Sequence, residues 1–307
     1  MSENKKYKIS VGIPTYEASS SLAMVLHSIY NQTVWDQIVE VVVVVDGKSH
    51  ISEDILQKIA NHKLKLSYYS KQEGQSARIN NIVQIASGDL LVLTNDDVVL
   101  KSDAIEKISK SWQETGAGLL AGHVMPLPAK SYVEKILEIQ NKLIYKIVEM
   151  LNGENNYLVC NGRLIALSSN FSKKINLPTI LKNNDAYIYV SSRIKNIKFT
   201  YVPDAICYFR NPSRLKEYFK QSIKFQDSLM DNIRFFTQDI SVYYKIPKYI
   251  LVKAFLSVFI SSPVKSLNYL VFKFYAWILS IFRKKSATRQ SGIWETDKST
   301  KIINKLI

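Results

Sequence analysis

The sequence predicts an α/β protein built on a doubly wound, mainly parallel sheet. Apolar strand patterns alternate with amphipathic helix patterns through the first half of the 307 residues, and this alternation is typical of βαβ units. Residues 39–45 are almost entirely valine, as expected for a strand buried on both faces. Polar residues follow the ends of the predicted strands, where open α/β sheets bind their ligands.

The individual elements follow from hydrophobic period and from helix and strand boundary residues. Pro14 ends the first strand, and serines 19–21 are expected to cap the first helix. Strands are predicted at residues 7–13, 39–45, 64–69, 89–93, 118–124, 157–167 and 198–202. Helices are predicted at residues 19–31, 53–60, 76–86, 103–112 and 132–151.

Length and composition indicate a large globular domain with an appendage, divided here as residues 1–240 and 241–307. Hydrophobic residues make up 47% of the chain and charged residues 22%, which excludes a disordered protein. Cys160 and Cys207 have neither metal-ligand nor disulfide spacing, so we expect buried thiols in a reducing cytosol. Residues 1–8 are polar and do not resemble a secretion signal.

The last fifth of the chain is basic and contains two apolar segments. The formal net charge is +15, and residues 247–307 contain eleven Lys or Arg but two acidic residues. Residues 249–260 and 267–282 are apolar but interrupted by Lys253 and Lys273, which makes a bilayer span costly. We expect helices that lie in the interface of an anionic membrane. Helices packed on the catalytic domain or on a second subunit, or a spanning hairpin, are the alternatives.

Three polar residues, Asn95-Asp96-Asp97, end the strand predicted at residues 89–93. Adjacent carboxylates at a strand end can hold Mg²⁺ or Mn²⁺ together with the phosphates of a nucleotide. The alternative is a surface turn, since Asn and Asp also favour turns.

Other strand ends add candidate nucleotide-binding residues. Asp46 and Glu17 could accept hydrogen bonds from a ribose or a base, and Arg78 has a planar fork of donors suited to a base carbonyl or a phosphate. The alternatives are a simple turn at Asp46-Gly47 and an ordinary ion pair for Arg78.

Taken in order, these motifs resemble the family 2 glycosyltransferases, which are inverting enzymes with the GT-A fold. The first half contributes Pro14-Thr15-Tyr16-Glu17, Val45-Asp46-Gly47-Lys48-Ser49, Gly74-Gln75-Ser76-Ala77-Arg78-Ile79-Asn80, Ala86-Ser87-Gly88-Asp89 and Asn95-Asp96-Asp97. The resemblance continues with Gly162, Asn184-Asp185, Tyr201-Val202-Pro203-Asp204, Gln221-Ser222-Ile223-Lys224-Phe225 and Trp294-Glu295 followed by Ser299-Thr300-Lys301.

The resemblance assigns roles to particular residues. Asp97 matches the metal ligand of the family's Asp-x-Asp motif, whose first Asp is Asn95 here, and Asp185 matches the catalytic base. An Asp at this position could instead cap a helix. The resemblance places the nucleotide pocket at Pro14, Thr15, Glu17, Asp46, Arg78, Asn95 and Asp96. It places contacts with donor, acceptor or diphosphate at Gly162, Gln221 and Lys224.

The motif at residues 221–225 departs from the Gln-x-x-Arg-Trp pattern of processive polysaccharide synthases. Lys224 replaces a bidentate arginine and Phe225 replaces the tryptophan, and Lys does not reproduce the arginine fork. We therefore expect a non-processive enzyme that adds one sugar.

The resulting hypothesis is a Mn²⁺- or Mg²⁺-dependent inverting glycosyltransferase. Its expected donor is a nucleotide-sugar, by default a UDP-sugar, and its acceptor is a lipid-linked or cell-surface glycan on the cytoplasmic side of the cell membrane. The sequence leaves open whether the protein forms a homo-oligomer. The alternatives are a catalytically silent nucleotide-binding relative and a basic membrane- or nucleic-acid-binding protein, although no nucleic-acid motif is present. A nucleotidyltransferase would need a glycine-rich loop after the first strand, which the sequence lacks.

Overall fold

A computed structural model describes residues 7–16, 20–47, 50–151, 155–226, 228–284 and 299–301. In this part of the chain an eight-stranded sheet is flanked by helices on both faces. The strands are β1 (Ile9–Thr15), β2 (Ile38–Asp46), β3 (Leu64–Tyr69), β4 (Leu90–Leu93), β5 (Val98–Leu100), β6 (Leu119–Pro126), β7 (Ile165–Ser168) and β8 (Phe199–Phe209).

Eleven α-helices accompany the sheet in the described residues. They are α1 (Ser20–Tyr30), α2 (Glu53–Ile59), α3 (Gln75–Ile85), α4 (Ala104–Thr115), α5 (Tyr132–Met150), α6 (Ser169–Ser172), α7 (Asn184–Ile194), α8 (Leu215–Gln226), α9 (Ser228–Ile233), α10 (Lys248–Ser261) and α11 (Pro263–Lys284). Short 3₁₀ turns occur at Trp35–Gln37 and Ser241–Tyr244.

The strand order β3-β2-β1-β4-β7-β6-β8-β5 confirms an α/β fold with a largely parallel sheet. The first four strands in this order are parallel neighbours, as is the β6–β8 pair. The β4–β7, β6–β7 and β5–β8 pairs are antiparallel. The sheet is therefore mixed, with its parallel half formed by the βαβ units at the start of the chain.

Strand β2 is buried on both faces, as its valine run predicts. Val41, Val43 and Val45 pack into the core on the α1 side of the sheet. Val42 and Val44 point the other way and pack with Ile79 and Ile82 of α3 and other residues. The two-residue period of a strand thus divides one apolar run between two cores.

The strand predicted at residues 157–167 is wrong over most of its length, since β7 begins only at Ile165. Asn side chains accept backbone N–H groups at the positions before it: Asn156 from Leu158, and Asn161 from Arg163. Such local bonds satisfy the backbone in turns and compete with strand pairing.

The strand predicted at residues 198–202 is too short. Strand β8 continues through Pro203 to Phe209, and the register between β6 and β8 shifts at Gly122 and His123. A bulge of this kind accommodates a proline that cannot donate to a regular ladder.

Helices α10 and α11 pack against α5. Val258 and Tyr269 form a small buried cluster with Ile136 and Ile139. The outward faces of both helices remain apolar and exposed, as at Ile260 (80% exposed) and Val264 (70% exposed). In the described residues, none of the helices is both long and apolar enough to cross a membrane. The predicted division at residue 240 stays a prediction.

Candidate active site

The C-terminal ends of β1 and β4 lie side by side and bring two candidate motifs together. The two strands are parallel neighbours, and the Thr94 N–H donates to the Gly12 carbonyl at 3.0 Å. Beyond them, the Thr15 hydroxyl donates to Oδ2 of Asp96 at 2.5 Å. The polar residues that follow β4 therefore meet the end of β1, as expected for a parallel sheet.

A small cleft opens at these strand ends. Two of the predicted nucleotide residues, Pro14 and Asn95, line it, and so do the predicted Gly162 and Asp185. The remaining lining residues are Gln75, Ile79, Leu93, Thr94, Ile165 and Ile188. Four positions that are separated by up to 171 residues in the chain thus converge on one concave surface, where small-molecule sites are commonly found.

Asp185 lies in the first turn of α7 and faces Gly162. The N-cap of this helix is Asn183, whose side chain accepts the Ala186 N–H at 3.2 Å. The capping role considered for Asp185 therefore belongs to Asn183. Asp185 lines the cleft instead.

Asp46 and Arg78 form a buried ion pair at the start of α3 and are not among the described residues that line the cleft. Both side chains have no exposed surface, and Nε of Arg78 lies 2.8 Å from Oδ1 of Asp46. Asp46 also accepts the N–H groups of Glu73 at 3.0 Å and Gly74 at 2.9 Å. This carboxylate therefore fixes the turn that opens α3, and Gly74 adopts a φ of 91° that favours glycine there.

The guanidinium of Arg78 is bonded to the protein on all sides. Its Nη1 donates to Asn81, and its Nη2 donates to the Lys71 carbonyl and the Glu73 carboxylate. It also stacks 4.3 Å from the centre of the Tyr69 ring. In this structure Arg78 stabilises the start of α3 through these contacts. Its direct contact with a nucleotide stays a prediction.

Asn95, Asp96 and Asp97 differ in their surroundings. The side-chain carbonyl of Asn95 accepts from Nε2 of Gln75 at 3.1 Å, which ties the loop after β4 to α3. Asp96 is buried, and Nζ of Lys301 lies 3.1 Å from its Oδ2. Burial raises the pKa of Asp96, although the Lys301 ammonium and the Thr15 hydroxyl act in the opposite direction. Asp97 is partly exposed.

The carboxylates after β4 fit a cation that is bound partly by the protein and partly by a substrate, rather than one bound by protein ligands alone. Among the described residues, no group of three or more His, Cys, Asp or Glu side chains could hold a metal by itself. Mg²⁺ is typically bound by one or two carboxylates, substrate phosphates and water. The partly exposed Asp97, two residues after the cleft residue Asn95, meets that requirement.

The remaining predicted site residues lie elsewhere or outside the described residues. Gln221 is half-buried on α8, and Lys224 lies on the same helix, where its side chain is not described. Glu17 lies outside the described residues. For the part of the chain that the structure describes, the lining of the cleft does not include Gln221.

Sequence reasoning assigned no role to three residues at the site. Gln75 and Lys301 belong to motifs that carry the family resemblance, and Thr94 precedes the Asn95-Asp96-Asp97 triplet. Lys301 is separated from Asp96 by 205 residues, so no local pattern could have indicated their contact. The two cysteines are buried as predicted, and burial raises the pKa of the Cys160 thiol.

The fold and the cleft define a nucleotide-binding α/β enzyme of the GT-A type. Residues 10–175 match the family described as Glycosyl transferase family 2. The match covers just over half of the chain, so this protein belongs to glycosyltransferase family 2.

Two solved glycosyltransferases share the fold. The mannosyltransferase PcManGT from Pyrobaculum calidifontis, in complex with GDP-Man and Mn²⁺, is 18% identical with a TM-score of 0.62, covering 93% of this chain and 82% of that one. S. aureus TarS 1-349 in complex with UDP-GlcNAc is 16% identical with a TM-score of 0.53, covering 83% and 73%. At these identities the likeness shows the fold alone.

A sequence relative is the uncharacterized glycosyltransferase MG060 of Mycoplasma genitalium. It is 31% identical over 100 residues, which is 31% of this chain and 34% of the relative. The chain therefore matches about a third of that relative's length.

Proposed function

We propose that this protein is an inverting, metal-dependent glycosyltransferase that moves one sugar from a nucleotide-sugar to a hydroxyl of a lipid-linked or cell-surface glycan. The observation that carries the proposal is the cleft shared by Pro14, Asn95, Gly162 and Asp185. It combines the predicted nucleotide side of the site with a carboxylate that can act as a base.

In the proposed reaction Asp185 is the general base. As the acceptor oxygen bonds to the anomeric carbon, the bond from that carbon to the diphosphate oxygen breaks, and the acceptor proton moves to the Asp185 carboxylate. A base opposite the leaving group gives a single displacement and hence inversion, by the geometry of inverting glycosidases.

Departure of the diphosphate requires positive charge. A Mn²⁺ or Mg²⁺ ion held by Asp97 and the diphosphate would neutralise the departing phosphates when bound. The complex of PcManGT with GDP-Man and Mn²⁺ supports use of a divalent ion here. Asp96, the neighbour of Asp97, contacts Thr15 and Lys301, so Asp97 is the proposed metal ligand.

A UDP-sugar remains the proposed donor, with a GDP-sugar as its competitor. The TarS complex with UDP-GlcNAc supports a uracil nucleotide, and the PcManGT complex with GDP-Man supports a guanine nucleotide. Asp46 and Arg78 fix the turn that opens α3, and the loop before Gly74 is the proposed base-binding segment.

The proposed acceptor lies at a membrane because α10 and α11 expose many large apolar side chains. Their exposed large side chains are Tyr249, Leu251, Val252, Leu256, Ile260, Val264, Leu267, Leu270, Val271, Phe274, Tyr275 and Trp277. Large exposed apolar patches on soluble proteins commonly mark interaction sites for proteins or membranes. The excess of Lys and Arg in residues 247–307 supports an anionic lipid surface as its partner, on the cytoplasmic side of the cell membrane.

A thermal-shift panel tests the proposed function. UDP-, GDP- and dTDP-sugars are each compared with and without Mn²⁺, since a ligand of the native state raises its apparent stability. We expect one nucleotide class to raise the melting temperature, more with Mn²⁺ than without it, and an Asp97→Asn variant to lose the Mn²⁺ increment. No shift with any nucleotide-sugar would contradict the proposal.

A further inference from the structure

Residues 299–301 lie against the catalytic domain although they are far from it in sequence. Ser299 and Thr300 are buried, at 6% and 5% exposure. The Ser299 hydroxyl accepts the Ser213 N–H at 3.1 Å and donates to the carboxylate of Glu217 on α8. Both contacts fix the segment immediately before Lys301.

This anchoring directs the Lys301 side chain to the strand ends. Its ammonium lies 3.1 Å from Oδ2 of Asp96, the same oxygen that accepts the Thr15 hydroxyl. Thr15 and Asp96 each follow a residue that lines the cleft, Pro14 and Asn95. The ammonium therefore contacts a residue next in sequence to the cleft lining, and the Lys301 side chain is only 11% exposed.

The charge balance of the site gives this ammonium a role. Asp185 lines the cleft, and Asp96 and Asp97 directly follow the lining residue Asn95 in the chain. These carboxylates would repel a diphosphate. The charge of Arg78 is already matched by Asp46 and Glu73. A lysine ammonium has three N–H donors and acts as a point charge toward phosphate, so it can contact Asp96 and phosphate oxygens together.

We propose that Lys301 is a donor-binding residue, which the anchored segment 299–301 brings to the diphosphate of the nucleotide-sugar. The proposal rests on the proposed function and extends the donor site to a part of the chain outside the match at residues 10–175. Lys301 keeps its contact with Asp96 and adds a charge-assisted hydrogen bond to the phosphates.

The test compares nucleoside diphosphates with the matching nucleosides. Calorimetric affinities for UDP, uridine, GDP, guanosine and inorganic pyrophosphate are measured with Mn²⁺ for wild type and Lys301→Met, which keeps most of the side-chain length without the charge. The matched control is Lys198→Met, because Nζ of Lys198 donates to the Thr115 carbonyl at the opposite end of the sheet.

We expect Lys301→Met to weaken binding of the preferred nucleoside diphosphate by about tenfold or more, with binding of its nucleoside changed less than about twofold. Lys301→Arg should restore part of the loss, and Lys198→Met should bind like wild type. Melting curves of each variant establish that it is folded.

Three results would overturn the inference alone while wild type still binds UDP or GDP. Unchanged affinity would remove Lys301 from the site, and equal loss for diphosphate and nucleoside would give it a purely structural role. Tighter binding in Lys301→Met would make the segment a plug that competes with the donor. Wild-type protein that binds neither nucleoside diphosphate nor pyrophosphate would contradict the proposed function as well.

Discussion

The side chain of Asp185 occupies the space beside Gly162 that a β-carbon would need. A methyl group built on Gly162 would come far inside contact distance of Oδ1 of Asp185. Glycine at this position therefore lets the proposed base approach the cleft wall, and the motif position noted in the sequence acquires a steric explanation.

Gly162→Ala should reduce turnover more than stability. The Asp185 carboxylate is the end of a flexible side chain and can move aside, but a base displaced by about 1 Å can cost about a hundredfold in rate. Steady-state kinetics should give a lower kcat, and the melting temperature should stay close to that of wild type.

A matched glycine provides the control for this prediction. Gly116→Ala meets no atom within 4 Å but has a φ of +62°, so it should lose about 1 kcal/mol of stability and keep its turnover. If Gly162→Ala transferred sugar at the wild-type rate, the proposed contact between base and substrate would be wrong.

The buried ion pair of Asp46 and Arg78 should dominate the stability of the α3 turn. Arg78→Met leaves Asp46 charged and without exposure, and breaking such a pair costs about 3–5 kcal/mol. Arg78→Lys keeps a charge but loses the fork of donors, so we expect an intermediate loss. Urea denaturation measures both variants, and a loss below about 1 kcal/mol for Arg78→Met would contradict this role.

Glu40 should make stability depend on pH on the acid side. Burial opposes its ionisation, but hydrogen bonds from Lys65, Ser10 and Ser87 outweigh burial and lower the pKa of Glu40 to about 2. Because this folded-state value lies below the ordinary 4.5, ionised Glu40 stabilises the fold above pH 4.5, and the contribution is lost as the pH falls toward 2.

Denaturation midpoints between pH 2 and 5 test this dependence. Lys65 is largely exposed and its ion pair is screened, so we expect a contribution of about 1–3 kcal/mol. Glu40→Gln should be less stable than wild type at neutral pH and should show a flatter acid limb. Parallel pH profiles for the two proteins would rule out this assignment.

The apolar surface of α10 and α11 should be required for membrane binding. Val264→Glu with Val271→Glu places two acidic groups on this exposed face, where burial in lipid would be costly. In flotation with anionic vesicles we expect wild type to rise with the lipid and the double variant to remain below. Met230→Glu is the control, since Met230 is an exposed apolar residue on α9.

Neutral vesicles separate the contributions of charge and apolar contact. Wild-type protein should float less well with neutral than with anionic lipid, because the basic residues then lose their partners. Equal flotation of wild type and the double variant would argue against a lipid surface, and self-association of the wild type in solution would favour a second copy as the partner.

The parallel half of the sheet was predictable because its strands are continuous and apolar on both faces, as in β2. The region after Asp97 was harder. Strand β5 has three residues, and the asparagine turns before β7 occur in a sequence that otherwise reads as strand. Propensity alone cannot separate such turns from a ladder when tertiary pairing decides between them.

In the candidate site, too, short motifs were predictable from the sequence, whereas contacts between residues far apart in the chain were not. Strand-end residues and the family resemblance together identified Pro14, Asn95, Gly162 and Asp185, which share the cleft. Sequence patterns could not show that Arg78 is wholly buried, because its partners depend on how α3 packs against the β2 end. A local pattern also carries no information about contacts across 205 residues, such as that of Lys301.

Turnover by an Asp185→Asn variant tests the central claim most directly. The substitution keeps the shape of the side chain and removes the base, so we expect kcat to fall by about 10²–10⁴-fold with nearly unchanged affinity for the donor. Asp239→Asn, at an exposed acid on the surface, should transfer sugar like wild type. Wild-type kcat in Asp185→Asn would contradict the proposed mechanism.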